Sequence, residues 1–334
     1  MYNSKIIGLG YYVPDNIVTN HDLAKIMDTS DEWIQERTGI KQRHWIPEGS
    51  EDTSAVMGAK AAKIAIERAG LTKDDIDFIV FATLSPDYYF PGCGVQIQDI
   101  LEMPTIGALD VRNQCSGFVY ALATADQFIK TGMYKNILVI GAEYHSNGLD
   151  KTTRGRGVTV IFGDGAGACV LTRTEDNTKG ILSSHLHSEG KYAEKLTVIG
   201  PSIKHWVPEI LNSTEEDTSY FPYMDGTFVF KNAVVRFSEV IIEGLSANML
   251  NAKDIDLFIP HQANLRISQF VQNKFKLRDD QVYNNIMKYG NTTAASIIIA
   301  LSEAWEKGKI KDNDLIVLAA FGSGFTWGSV IIRW

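Results

Sequence analysis

The chain carries one unit twice. Residues 115–132 read CSGFVYALATADQFIKTG and residues 291–308 read NTTAASIIIALSEAWEKG. The two stretches are equally long, each has an amphipathic helical pattern, and each stops at a glycine, Gly132 or Gly308. A hydrophobic strand pattern follows each one, ILVIGAE (137–143) and LIVLAAF (315–321). Upstream, DDIDFIVFAT (74–83) matches KDIDLFIPHQ (253–262). The DID triplets begin at Asp75 and Asp254, an offset close to that between Cys115 and Asn291. Strands and helices alternate throughout, so the repeat restricts the chain to a layered α/β architecture. It also sets Cys115 and Asn291 at corresponding helix starts.

The length of 334 residues fits two fused halves, and the polar run TEDNTKG (174–180) is the best seam. The expected division is 1–174, holding the cysteine, and 180–334, holding a histidine and the asparagine. Hydrophobic content of 45% with 22% charged residues describes a soluble globular chain with a sizeable core. A net charge of −8 argues against nucleic-acid binding, which needs a basic face. Three cysteines without framework spacing make a disulfide scaffold a poor reading and a reducing compartment the natural one. The start, MYNSKIIGLG, lacks a signal-peptide layout, and no apolar run approaches ~18 residues. The expectation is a cytoplasmic protein with no membrane association.

The local patterns predict a strand over 5–14, helices over 29–39 and 52–70, a strand over 78–83, and a short helix after the aromatic loop 85–94. Strands are predicted over 106–111, 158–162 and 168–173, the last two around a tight GDGAG turn. The second half is predicted to open with strand 181–188 and to pass through an irregular surface excursion over 200–226. Helices over 227–250, 264–275 and 291–307, strand 256–259 and two closing strands complete it.

Cys115 follows strand pattern LDV and begins a helix, where the positive end of the peptide dipoles is expected to lower a thiol's pKa from roughly 8.5. An isolated cysteine is more often a small core residue, and Cys93 and Cys169 are read that way. His261 closes strand LFIP, at the end where α/β folds place ligands. Asn291 alone would be an ordinary N-cap, and the repeat is the reason to promote it. GDGAGA (163–168) matches a dinucleotide fingerprint, but a strand pattern follows it where a helix is required. His185 and His187 share a strand face without a third ligand, so no metal is expected. FGSGFTWG (321–328) is a glycine-rich hairpin able to present a backbone N–H to an oxyanion.

DTSDEWIQERTGI (28–40), CSGF (115–118), FGDGAGA (162–168), VFK (229–231), PHQANLRI (260–267), YGNT (289–292) and FGSGFTWGS (321–329) occur in one ordered frame. Together they resemble the β-ketoacyl-acyl-carrier-protein synthase III family of the thiolase-like superfamily, over nearly the whole chain. The resemblance implies a thiolase-like fold of two βαβαβ-type halves in αβαβα layers. It implies an acyltransferase that condenses an acyl-CoA starter with malonyl-acyl-carrier protein through an acyl-Cys115 intermediate. In that reading His261 and Asn291 polarise the malonyl thioester, and the N–H groups of Cys115 and Ser323 form a second oxyanion hole. Thr29, Trp33, Arg37 and Arg156 match coenzyme A positions. Phe90 matches a residue sent across a homodimer interface into the acyl pocket. Lys231, Arg266 and Lys274 match a basic docking surface for the acidic carrier protein. The acyl-CoA enters as substrate, and no cofactor is implied.

The sequence departs from the family pattern at Arg112, Asn113 and Gln114, where small residues are usual, at Ser323, and in the long 200–226 stretch. The 112–114 segment motivates one alternative, a specialised ketide synthase or acyltransferase with another acceptor. A second alternative is a silent acyl-CoA or acyl-carrier binding protein, against which the intact Cys115, His261 and Asn291 argue.

Overall fold

The structure is a computed structural model that describes residues 2–214 and 216–334. In the first half, strands β1 (Asn3–Tyr12), β2 (Phe78–Ala82), β3 (Gly107–Val111), β4 (Asn136–Glu143) and β5 (Gly165–Thr174) alternate with helices α1 (Asp31–Thr38), α2 (Ser54–Arg68), α3 (Cys93–Ile100) and α4 (Gly117–Lys130). The second half holds strands β6 (Gly180–Ser188), β7 (Leu257–Pro260), β8 (Leu315–Gly322) and β9 (Thr326–Arg333). Its helices are α5 (Trp206–Asn212), α6 (Gly226–Ala247), α7 (Leu265–Phe275) and α8 (Ala295–Glu306).

The two sheets have one topology. The first runs β1-β5-β4-β2-β3 and the second β7-β8-β9-β6, so the repeat-related strands occupy equivalent places. Strands β4, β2 and β3 run parallel, as do β7 and β8, while the remaining pairings are antiparallel. The second sheet's counterpart of β3 survives as a single parallel bridge between Phe258 and Val282.

Helices α4 and α8 fill the space between the sheets. Phe118, Leu122 and Ile129 from one, and Ile297, Ile298 and Leu301 from the other, share one buried cluster with both sheets. The alanine-rich helix α2 covers the far face of the first sheet, and α6 and α7 cover that of the second. The layers therefore run α-β-α-β-α. Sheets buried on both faces explain why β4 and β8 read as unbroken apolar runs.

Three expectations need correction. Residues 158–162 are not a strand. Arg156–Thr159 is a helical turn, and Val160 and Ile161 are buried as core residues of a loop. An apolar run of that length does not distinguish a strand from a buried turn. GDGAG is not a turn between strands: β5 starts at Gly165, inside it. A β-carbon at Gly167 would sit 2.5 Å from the Ile298 side chain, so the glycine serves the contact of α8 with the sheet. The 200–226 stretch is not wholly irregular. It contains α5, and a two-stranded ladder pairing Tyr223 with Thr197 and Met224 with Leu196 closes its base. Trp206 packs on Tyr89 with ring centroids 4.2 Å apart, which folds the excursion back onto the 85–94 loop.

Candidate active site

Cys115 sits in a short 3-10 turn, Gln114–Ser116, that runs straight into α4. His261 follows the last residue of β7, and its N–H donates to the Ala319 carbonyl of β8 at 2.8 Å. Asn291 is locked by its backbone: its N–H donates to Ile161 O at 2.9 Å, and its carbonyl accepts from Gly163 N–H at 3.1 Å. That bridge delays the helix, and α8 begins only at Ala295. The expected helix start at Asn291 is thus corrected, because a parallel bridge to Phe162, in the other half of the chain, holds the backbone extended. All three side chains line one cavity of about 640 Å³, with Cys115, His261 and Asn291 8%, 3% and 5% exposed.

Burial decides the electrostatics. The Cys115 thiol is pushed up to about 12, first by burial and next by the Glu143 carboxylate. The N–H groups of Ser323 and Cys115 and the Thr293 hydroxyl pull the other way without winning. The expected lowering by the helix terminus is therefore not the resting condition: peptide dipoles do not outweigh removal of the thiolate from water beside a carboxylate.

His261 is driven to about 3 by burial, with His145 adding to the effect, so the imidazole is neutral. Ser296 Oγ lies 2.6 Å from Nδ1 and accepts the Gln262 N–H at 3.4 Å. With the Ser296 hydrogen on Nδ1, the ring hydrogen sits on Nε2. That atom is buried and has no partner among the described residues. Asn291 Oδ1 accepts from Thr293 N–H at 2.8 Å, so Nδ2 is the end of the amide left to donate. A neutral N–H, an amide N–H and a sulfur thus border one cavity, a donor set suited to a carbonyl oxygen that gains charge.

Sequence similarity places the chain in a family. The family model "3-Oxoacyl-[acyl-carrier-protein (ACP)] synthase III" matches residues 109–190, and its C-terminal companion matches residues 245–334. A β-ketoacyl-[acyl-carrier-protein] synthase III of a Sulfurovum strain is 44% identical over 97% of this chain and 94% of its own. The chain belongs to the β-ketoacyl-acyl-carrier-protein synthase III family. The synthase III of Aliivibrio fischeri is 43% identical over 99% of each chain. The crystal structure of the Aquifex aeolicus synthase III superposes with a TM-score of 0.90 at 43% identity, covering 99% of this chain and 100% of that one. The thiolase-like fold expected for the family is the fold observed.

The remaining candidate positions divide by location. Trp33 and Arg37 line the cavity, with the Arg37 guanidinium 4.4 Å above the Trp33 ring. The Arg156 guanidinium lies 5.4 Å from the same ring and donates to Asp28 at 3.1 Å. Thr29 Oγ1 is buried without a partner among the described residues. Lys231 and Arg266 line the cavity mouth, while Lys274 lies further along α7. All three are exposed, and none is in an ion pair among the described residues. Phe90 is 76% exposed and lies apart from the cavity lining. Arg112, Asn113 and Gln114 do not line it either.

Sequence reasoning missed Glu143, Ser296, Thr293 and His145. Glu143 had a visible signal, an acid directly after the apolar run 137–142. It is fully buried and accepts from Ser85 Oγ at 2.7 Å and Leu84 N–H at 3.2 Å. The others carried no signal until the fold placed them. His185 and His187 both bond to Glu243 at the surface, and no cluster among the described residues is arranged to hold a metal.

Proposed function

We propose that this chain condenses an acyl-CoA with malonyl-acyl-carrier protein to give a 3-oxoacyl-acyl-carrier protein, the first elongation of fatty-acid synthesis. The observation that carries this reading is the convergence of Cys115, His261 Nε2 and the Asn291 amide on one buried cavity. In the first half-reaction the Cys115 sulfur attacks the acyl thioester. The C–S bond to coenzyme A breaks, and the coenzyme leaves with the thiol proton. In the second, the malonyl thioester loses carbon dioxide and the freed electron pair forms an enolate. Its oxygen receives hydrogen bonds from His261 Nε2–H and Asn291 Nδ2–H. The enolate carbon attacks the acyl group, and Cys115 leaves as thiolate. The N–H groups of Cys115 and Ser323, which already face the sulfur, receive the tetrahedral oxyanion.

The same reading assigns Trp33, Arg37 and Arg156, with Thr29 beside them, to coenzyme A. A purine between Trp33 and Arg156 needs two contacts of about 3.5–4 Å each. The 5.4 Å separation is shorter, so Arg156 swings from Asp28 as the nucleotide enters. Lys231, Arg266 and Lys274 meet the acidic carrier protein, a local basic patch on a chain of net charge −8. Two copies pair so that Phe90, exposed with Tyr88 and Tyr89, enters the partner's acyl pocket. No described helix is long and apolar enough to cross a membrane. We place the chain in the cytoplasm as a homodimer that needs no cofactor beyond its acyl-CoA substrate.

The test is purified protein given an acyl-CoA panel and malonyl-acyl-carrier protein. Carbon dioxide and a 3-oxoacyl-carrier product are expected. Acyl transfer to another acceptor without carbon dioxide release would favour a non-condensing transferase instead.

A further inference from the structure

One buried charge has no part in the chemistry above. Arg43 lies in a short strand, Gln42–His44, that pairs with Ile17–Thr19, and its side chain is fully buried. Its donors go to neutral oxygens. Nη1 donates to the Val18 carbonyl at 3.1 Å, and Nη2 to Asn20 Oδ1 and to the Val160 carbonyl, each at 2.8 Å. Nε has no partner among the described residues. An acid is reached only through Asn20, whose Nδ2 donates to Asp31 Oδ1 at 2.8 Å. Burial lowers Arg43 to about 10, so it is charged at pH 7. A buried charge held by neutral groups costs stability, and an apolar side chain of similar volume is often neutral or better. Packing alone therefore does not account for a guanidinium here.

The Val160 contact does. Three successive carbonyls are each taken by a separate donor. Val160 O accepts from Arg43, Ile161 O from the Asn291 N–H at 2.9 Å, and Phe162 O from the Trp45 indole N–H at 3.0 Å. The Gly163 N–H then returns to the Asn291 carbonyl at 3.1 Å. Residues 160–163 are thus the rail on which the Asn291 backbone hangs, and Val160, Ile161 and Phe162 line the cavity with Asn291. The stem of Arg43 lies against the same bridge: a β-carbon on Gly163 or Gly290 would sit 3.3 or 3.2 Å from Arg43 Cβ. Arg43 therefore meets both sides of the bridge, 163 and 290 with its stem and Val160 with its head.

We infer that Arg43 is a positioning residue for Asn291: its guanidinium holds the Val160 carbonyl and so fixes the 160–163 segment that aims the Asn291 carboxamide at the enolate. Arg43 itself lies outside the cavity lining and touches no reacting atom. Its other arm runs through Asn20 to Asp31, the first residue of α1. That helix carries Trp33 and Arg37, which line the cavity. One guanidinium thus joins the coenzyme side of the cavity to the enolate side. A misplacement of about 1 Å in a group that serves a transition state can cost about 100-fold in rate. The inference rests on the reading of Asn291 as an enolate donor.

The test measures the two half-reactions separately in Arg43→Met, which keeps an apolar stem and removes every donor. Decarboxylation of the malonyl thioester is expected to fall about 10–100-fold. Acylation of Cys115 by saturating acyl-CoA, read by intact mass, should stay within about 3-fold of the parent. In an Asn291→Ala background the same substitution should cost less than about 3-fold more, because the group it positions is gone. Unchanged decarboxylation, equal losses in both half-reactions, or losses that multiply in the double variant would overturn the inference. If Arg43→Met does not fold, Arg43→Lys decides. It keeps the charge but cannot span Val18, Asn20 and Val160, and the same split is expected at about 5–10-fold. An unchanged rate or equal losses there overturn the inference as well. Decarboxylation that Asn291→Ala leaves at the parent rate would instead refute the enolate reading itself.

Discussion

Gly322 stands against the nucleophile: a β-carbon there would lie 2.5 Å from Cys115 Cβ and 3.0 Å from its sulfur. The last residue of β8 therefore has to be glycine for Cys115 to occupy its place. Gly322→Ala is expected to displace the thiol or the 322–325 turn that presents the Ser323 N–H. Overpacking of this kind costs about 1–3 kcal/mol of stability. Acylation of Cys115, read by intact mass, should fall by more than tenfold even where the variant stays folded.

His261 and Asn291 serve the enolate and not the first acyl transfer. Replacing either with alanine should lower decarboxylation of the malonyl thioester by about 10²–10³-fold, the usual effect of removing one oxyanion donor. Acylation of Cys115 by acyl-CoA should stay within a few-fold of the parent. His261 is neutral at every pH well above 3. The decarboxylation profile should therefore show no limb between pH 6 and 7 from its titration. Acyl-enzyme formation and carbon dioxide release, measured separately, check both points.

Glu143 restrains the thiol. Burial raises its carboxyl to about 7, against hydrogen bonds from Ser85, Leu84, Ala294 and Thr83. As pH rises through 7 it gains a charge that disfavours the neighbouring thiolate. Glu143→Gln removes that charge and is expected to speed iodoacetamide alkylation of Cys115 at pH 8 by several-fold. An unchanged rate would mean that the carboxylate does not reach the sulfur electrostatically.

The sequence made the frame legible because repetition is a global signal. The Cys115 and Asn291 segments, matched in length and followed by matched strands, led directly to two sheets of one topology with α4 and α8 between them. Local patterns failed where tertiary contacts decide. Val158–Phe162 has β-branched residues because it fills a core, and not because it pairs along its length. Asn291 is held extended by Phe162, a partner that helix-start signals do not reveal. The thiol's protonation depends on Glu143, distant in sequence from Cys115, and on burial that no spacing rule measures.

Away from the cavity, Glu303 makes a prediction about acid stability. Burial alone would raise its carboxyl. Lys307 at 2.6 Å, Lys288 at 2.9 Å and Asn285 at 3.0 Å instead hold it at about 2. A carboxylate held below its ordinary value stabilises the fold fully above about pH 4.5, and that contribution is lost as pH falls toward 2. Glu303→Gln should be about 1–2 kcal/mol less stable at pH 7, since both lysines are half-exposed. The gap should close toward pH 2–3, as urea titrations at several pH values would show.

The claim on which everything turns is that one sulfur, shielded and mostly protonated at rest, takes up the acyl group. Intact-protein mass spectrometry after incubation with acyl-CoA tests it. The parent should gain one acyl mass, mapped to Cys115 and removed by added malonyl-acyl-carrier protein, and Cys115→Ala should gain none. An acyl adduct on any other residue, or an adduct on Cys115 that malonyl-acyl-carrier protein leaves in place, would contradict it.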